Sequence, residues 1–366
     1  MLKLLCIVGG MNVGGAETFL MKIFRTIDRK KYQMDFCVTI ENKGMYDEEI
    51  ENGGGVIYHV PAKTKHPIKS FRAIKKIVAE GKYTSVLRVS QNAMSSIDLV
   101  AAKKGGAKIL AFRSSNTGTC GSEFEDIMHI LFKPLVKHIA NVKIAPSKLA
   151  ALFMFGKKSV ESGEVHILKN GLNIEKFIFN LNVREKLRRE NLWEKKFLLG
   201  HVGRFEKQKN HKFLIEVFEH YVKINPNAHL LLIGDGEGNR EIRKLCEDKN
   251  ILKNVSFLGI RSDVNEIMMA LDVLLLPSFF EGMPNVAIEA QTTGLPCVLS
   301  DCITGEAGVT DLVQYVSLDV VSDWVKAIEN IKECENSKRK EYAVKMRKEG
   351  YAIDQVVLEF IEMIYR

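Results

Sequence analysis

Several protein classes are excluded by what this sequence lacks. Its seven cysteines (6, 37, 120, 246, 297, 302 and 334) form no Cys-x-x-Cys pair. An odd, unpaired set points to reduced thiols in a cytosol rather than to a disulfide framework. Cys6 and Cys37 fall in apolar runs and read as core. No stretch reaches the ~18 apolar residues of a membrane span, so no transmembrane helix is expected. The start lacks the basic, apolar and cleavage segments of a secretory leader, so none is expected and the chain is placed in the cytoplasm. There is no repeat of solenoid period and no low-complexity tract. The basic residues are not interleaved with aromatics and no base-reading motif occurs, so nucleic acid is not an expected partner.

What remains is ordinary in composition and uneven in charge. The 366 residues are 46% apolar and 27% charged, the make-up of a globular protein, and the length suggests two domains. With 53 Lys+Arg against 45 Asp+Glu, the net charge is +8. Residues 1–170 hold 26 basic and 15 acidic residues, while the remainder is slightly acidic. This asymmetry fits either two halves facing different partners, one of them anionic, or a solvated basic surface without a role.

Short β-rich runs alternate with longer amphipathic stretches. Strands are expected at 3–8, 34–40, 56–60, 85–89, 108–112 and 143–145. Helices are expected at 16–27, 45–52, 70–80, 96–103 and 125–139. The pattern restarts with strands at 198–202, 229–233, 255–258, 273–277 and 296–300 and helices at 211–224, 237–248, 263–270 and 285–293. Residues 169–180 read as a linker and the last 25 or so as a helix. Such alternation implies an α/β chain of two doubly wound parallel sheets. Ligands of open parallel sheets bind beyond the carboxyl ends of the strands, and two facing sheets make a cleft.

The informative residues do follow strands. Gly9-Gly10-Met11-Asn12-Val13-Gly14-Gly15-Ala16-Glu17 comes after the first. It is neither a P-loop, since no Lys-Ser/Thr follows, nor G-x-G-x-x-G. It suits either a backbone approach to a ligand or a tight strand–helix turn. Gly203-Arg204-Phe205-Glu206-Lys207-Gln208-Lys209-Asn210 opens the second half. Arg204 and Lys209 there suit a diphosphate, although alone such a loop also reads as a solvated basic turn. The run Pro277-Ser278-Phe279-Phe280-Glu281-Gly282-Met283-Pro284-Asn285-Val286-Ala287-Ile288-Glu289-Ala290 follows a buried strand. Pro284 fits a first helical turn and Gly294 the stop. The amides around 283–286 would then point from a positive helix end. Glu289 lies roughly 7–8 Å further along the axis. That spacing suits a nucleotide-sugar, with Glu281 on sugar hydroxyls and Glu289 on ribose; the other reading of Glu289 is a surface glutamate. Gly234-Asp235-Gly236 reads as a strand exit. Gly259 could hold a base through backbone groups, and Asn170-Gly171 is either a hinge turn or a contact.

Together, GGAE at 14–17, GRFEKQKN at 203–210, GDG at 234–236 and EGMPNVAIE at 281–289 resemble the GT-B glycosyltransferases of retaining family 4. Ala290-Gln291, Gly294-Leu295-Pro296-Cys297 and Ser300-Asp301 reinforce the likeness, which is nearest to members that build bacterial capsule or exopolysaccharide. The resemblance implies a Rossmann-like acceptor domain at 1–168, joined by the C-terminal helix 350–366, and a donor domain at 169–349. It implies transfer of a sugar from a nucleotide-sugar, expected to be a UDP-sugar, with retention. Arg204 and Lys209 would hold the diphosphate, Glu281 the transferred sugar and Glu289 the ribose. Gly15, Gly203, Gly259, Gly282, Met283, Pro284, Asn285 and Val286 would line the donor. No Asp-x-Asp occurs, so neither metal nor cofactor is expected. Many relatives carry a histidine where this chain has Arg113-Ser114-Ser115-Asn116. Ser115 or Asn116 would give a weaker hydrogen bond there, and Arg113 would reach a phosphate. That missing histidine leaves open a nucleotide-sugar-binding protein of weak or lost catalysis. The acceptor would be a glycan or a lipid diphosphate at the inner membrane face, with Lys63, Lys65, Lys69, Arg72, Lys75 and Lys76 meeting anionic headgroups.

Overall fold

Two parallel sheets organise the chain, and each belongs to its own unit. The structure is a computed structural model that describes residues 2–12, 14–40, 42–116, 118, 123–331 and 336–365, with the backbone alone at 123 and 124. Val13 of the first glycine loop, Cys120 and Cys334 lie outside the described residues. One unit comprises Met1–Leu172 with Ala352–Arg366, and the other Asn173–Tyr351.

The first unit holds β1 (Leu2–Val8), β2 (Tyr32–Val38), β3 (Ile57–His59), β4 (Ser85–Ser90), β5 (Ile109–Ser114), β6 (Val142–Ala145) and β7 (Val165–Ile167). Their spatial order is β3-β2-β1-β4-β5-β6-β7, with every pairing parallel. The second unit holds β8 (Phe197–Val202), β9 (Ala228–Ile233), β10 (Val255–Gly259), β11 (Val273–Leu276), β12 (Cys297–Ser300) and β13 (Val313–Val316). Its order is β10-β9-β8-β11-β12-β13, again parallel. The strand order reverses between β1 and β4 in one sheet and between β8 and β11 in the other. Connections diverge at such points and leave a crevice at the carboxyl edge.

Helices cover both faces of each sheet because the strands are apolar on both sides. In the first unit one core gathers Phe19, Phe24, Phe36 and Phe360, and the other Ile74, Leu99, Phe112 and Phe155. In the second, Phe218 and Trp324 fill one side, and Leu271, Leu274 and Ala287 the other. The expected linker is divided between the units. Leu172 forms a parallel bridge with Ala352, and the Ile353 N–H donates to the Leu172 carbonyl at 2.9 Å. The chain therefore leaves and re-enters the first unit at one place. Its last helix, Ile353–Ile364, buries Val356, Val357, Phe360, Met363 and Ile364, with Phe360 edge-on to Phe19 at 6.2 Å.

Several elements differ from the sequence pattern. β5 runs two residues further than expected and takes in Arg113 and Ser114. β7, β13 and the helices Lys148–Glu161, Leu181–Glu190 and Val321–Glu329 were not anticipated, and the expected C-terminal helix is two, Arg339–Lys348 and Ile353–Ile364. β7 and β13 are short strands, largely uncovered on both faces. Helix Lys148–Glu161 is interrupted by Gly156 at φ +77°. Leu181–Glu190 has no fully buried residue, and only half-buried Val183 and Leu187 mark its inner face. Arginines do much of the holding: Arg184 reaches Asp272 at 2.5 Å and the carbonyls of residues 269–271 at 2.8–3.0 Å.

Burial sets the expected consequence for the last helix. Phe360→Ala should cost about 3–5 kcal/mol of the first unit's stability through cavity formation. Leu358→Ala, at an exposed position of the same helix, should stay within about 0.5 kcal/mol. Urea midpoints of the two variants check this, and equal shifts would contradict the packing.

Candidate active site

The loops after β8 and β11 meet at the switch point of the second sheet. The Phe279 N–H donates to the Gln208 carbonyl at 2.9 Å, and Gln208 Nε2 donates to the Phe280 carbonyl at 2.8 Å. Beside this clasp Lys209 Nζ lies 2.7 Å from Glu281 Oε1, with side chains only 18% and 11% exposed. Gly203 makes room for the lysine stem: a Cβ there would stand 3.1 Å from Lys209 Cδ and Cε and 3.2 Å from His201 Nε2. Glycine is also needed at Gly234, where φ is +134° and a Cβ would sit 2.1 Å from the Gly203 carbonyl oxygen. The Gly-Asp-Gly turn thus packs the β9 loop against the β8 loop.

Behind Lys209 stand two histidines that the motif reading missed. The His201 Nδ1 is 2.9 Å from the Leu275 carbonyl. A carbonyl only accepts, so Nδ1 carries the proton and Nε2 is bare. His211 packs edge-on to His201 at 4.6 Å and stacks on Phe205 at 4.2 Å. Burial first, then the Lys209 charge, lower the His211 pKa to about 4. Burial, His211 and Lys209 push His201 well down. Both rings are neutral at pH 7, so the ammonium in front of them is not crowded by further cations. Their signal in the sequence was only a histidine inside an apolar strand and one opening a helix.

Arg204 lies in the same loop but is largely exposed, paired with Glu206 at 2.8 Å. Pro284 does not occupy the first helical turn as expected. It stands at the N-cap of helix Asn285–Thr292, one residue before the first turn, because its ψ of 106° is extended rather than helical. Gly282 and Val286 are buried, Met283, Asn285 and Glu289 half-buried, and Gly294 follows the helix at φ +65°. The helix end places partial positive charge at the carboxyl edge beside Lys209 and Glu281. Gln291 anchors the helix: its Nε2 donates to Ala287 and Ala307 carbonyls, and its Oε1 accepts from the Thr310 N–H and hydroxyl. Gly259 ends β10 at φ +66°, with open space where a Cβ would be. A cleft of about 700 Å³ borders the β8 loop, lined by Phe205, His211, Gly236 and Phe279 among others, a volume typical of small-ligand sites.

In the first unit, Gly15 opens helix Gly15–Thr26 after β1, and a Cβ there would meet nothing within 4 Å. Ser115 and Asn116 are half-buried at the end of β5. Arg113 does not project beyond the strand. It is 1% exposed, lies 3.8 Å over the Phe19 ring and donates to Asn170 Oδ1 at 2.5 Å. A phosphate contact is replaced by an internal one, because the strand continues past Phe112. Asn170-Gly171 is likewise structural, with the Gly171 carbonyl accepting from Lys22 Nζ at 2.8 Å. Among the described residues no cluster of His, Cys, Asp and Glu is arranged to hold a metal ion.

Comparison with known proteins agrees with this architecture. A Bacillus subtilis protein named as a glycosyltransferase, EpsF, is 32% identical over 362 residues, 97% of this chain and 94% of its own. The family model described as glycosyl transferases group 1 matches residues 183–352. The chain belongs to the group 1 glycosyltransferases. An Escherichia coli UDP-Gal:alpha-D-GlcNAc-diphosphoundecaprenol alpha-1,3-galactosyltransferase is 34% identical over 148 residues, 39% of this chain and 38% of its own. Anabaena Alr3699/HepE, solved in complex with UDP, has a TM-score of 0.78 at 17% identity over 99% of each chain, a likeness of GT-B fold. This glycosyltransferase is therefore an α/β transferase of two Rossmann-like units.

Two outcomes are expected from this site. The depressed His211 pKa means that the unfolded state binds the extra proton between about pH 6.5 and 4. Stability is full above that window and falls with pH inside it, by up to about 1.4 kcal/mol per unit. Thermal melts across pH should show the fall, and His211→Phe should reduce it, leaving the part carried by His201. Gly15→Ala should stabilise its helix by about 0.4–1 kcal/mol while lowering sugar transfer. A rise in both stability and rate would remove Gly15 from the substrate's path.

Proposed function

We propose that this enzyme moves a sugar from a UDP-sugar to a lipid-diphosphate-linked glycan, with retention, in the assembly of a bacterial surface polysaccharide. The observation that carries the reading is the Lys209–Glu281 pair at the β8/β11 switch point, 2.7 Å apart beside a helix N-terminus. The UDP in the names of the galactosyltransferase and of the HepE complex supports the donor. The diphosphoundecaprenol in the former supports a lipid-linked acceptor.

In this reading the diphosphate replaces Glu281 as the partner of Lys209. Arg204 leaves Glu206 and turns to the same phosphates, and Glu281 is released to accept from hydroxyls of the transferred sugar. The amides of residues 285 and 286 face the phosphate oxygens, Glu289 takes the ribose and the Gly259 backbone the base. The anomeric C–O bond breaks with its electron pair passing to the diphosphate. Lys209, Arg204 and the helix end stabilise that charge where it develops. The acceptor hydroxyl attacks from the same face and gives its proton to the departing phosphate oxygen. These cations take the role a metal ion would otherwise fill.

UDP release from a panel of nucleotide-sugars with a lipid-diphosphate acceptor tests the reading. Lys209→Met should lower kcat by about 10²–10³, and Glu289→Ala should raise donor KM by about tenfold, the equivalent of one hydrogen-bonded contact. A chelator should leave the rate unchanged. Near-normal kinetics in both variants would overturn the site.

A further inference from the structure

Helix Glu123–Ile139 carries apolar residues on two opposite sides. Its inner side buries His129, Val136 and Ile139 against the first unit. Its outer side presents Ile127, Ile130 and Leu131 at 62%, 68% and 67% exposure, continued by exposed Pro134. The spacing i, i+3, i+4, i+7 makes one stripe about 100° wide, the pattern of a helix face that rests on something apolar. Isolated exposed hydrophobes are ordinary, but a contiguous stripe marks an interaction site.

The surroundings of the stripe select its occupant. Lys133 and Lys137 follow one edge of it; Asp126 stands on that edge at the start of the helix, and Glu125 lies off it. Helix Pro67–Gly81 shares the same sheet face and core. It adds exposed Lys69, Arg72, Lys75 and Lys76, with Lys65 just before it and Ile68 66% exposed. Lys63, expected among these cations, is instead turned inward to Asp98 at 2.5 Å, and its pKa falls to about 8 through burial and the neighbouring Arg88. An apolar stripe bordered by cations is what an interfacial helix presents to an anionic bilayer, with the apolar side below the headgroups and lysines among them.

Position gives the contact a use. The Ala93 N–H donates to His129 Nδ1 at 3.2 Å, and Asn92 Nδ2 donates to the Glu125 carbonyl at 3.2 Å. These bonds fasten the start of the helix to the loop after β4, at the β1/β4 switch point. We propose that Ile127, Ile130, Leu131 and Pro134 enter the headgroup boundary of an anionic membrane, holding the carboxyl edge of the first sheet against the lipid surface. The inference rests on the lipid-linked acceptor proposed above but concerns a different surface.

The full chain should co-sediment with phosphatidylglycerol–phosphatidylcholine vesicles, less so at high salt. The double variant Ile130→Glu/Leu131→Glu should partition at least tenfold less, with unchanged melting and unchanged transfer to a soluble acceptor. Lys133→Ala/Lys137→Ala should lose mainly the salt-sensitive part. Equal sedimentation of the double variant with the wild type would overturn the proposal. So would a self-association in solution that only the double variant abolishes, since the stripe would then seat a second copy. Transfer to a lipid-linked acceptor without vesicle binding would refute the surface and leave the function standing; vesicle binding without such transfer would do the reverse.

Discussion

A lysine and a glutamate 72 positions apart join the loops after β8 and β11. Lys209 and Glu281 are mostly buried, and a pair of that kind repays its desolvation only when the geometry is good and the surroundings are polar enough. Much of the local structure supplies those conditions. Gly203 clears the stem, Gln208 clasps the opposite backbone, and two neutral histidines stand behind the ammonium. On the function proposed above, Glu281 holds the place beside Lys209 that the diphosphate would take, so that binding would exchange one anion for another.

The first unit uses buried charge differently. Arg88 donates to the carbonyls of Ile7 and Val89 and meets Asp98 at 2.9 Å, and Lys63 closes the same group. Arg113 meets an aromatic ring and one amide. These side chains tie strand ends to helices inside one unit and leave no ammonium or guanidinium among them turned outward. The basic character of the first 170 residues is therefore carried at its surface by lysines such as Lys69 and Lys75, not by its internal cations. A net charge cannot separate the two populations.

What was legible in the sequence follows from the same physics. Parallel strands buried on both faces are runs of apolar residues ended by glycine or proline, so the central strands and the loops behind them could be read directly. Leu181–Glu190 could not, because arginine–carbonyl bonds do much of the holding and only Val183 and Leu187 mark an apolar face. Arg113 was placed beyond its strand for a similar reason, since a buried guanidinium looks like a loop residue until Phe19 and Asn170 are seen beside it. The Lys209–Glu281 contact was invisible in spacing. The residues were recognised singly, each by the ligand atom its charge would suit. Periodicity also showed that Glu123–Ile139 is a helix but not which of its two apolar sides the core would cover.

Glycines separate structural need from functional allowance. Gly234 and Gly294 have positive φ and backbone or side-chain atoms within 3 Å of any added Cβ, so the fold itself requires them. Gly15 has neither constraint. It opens a helix with ordinary φ and has open space around it, where alanine would be about 0.4–1 kcal/mol better by restricting the unfolded chain. On the function proposed above, the missing side chain keeps the substrate's path clear. Space kept clear at the carboxyl edge, after the first strand, is where a parallel sheet receives its ligand.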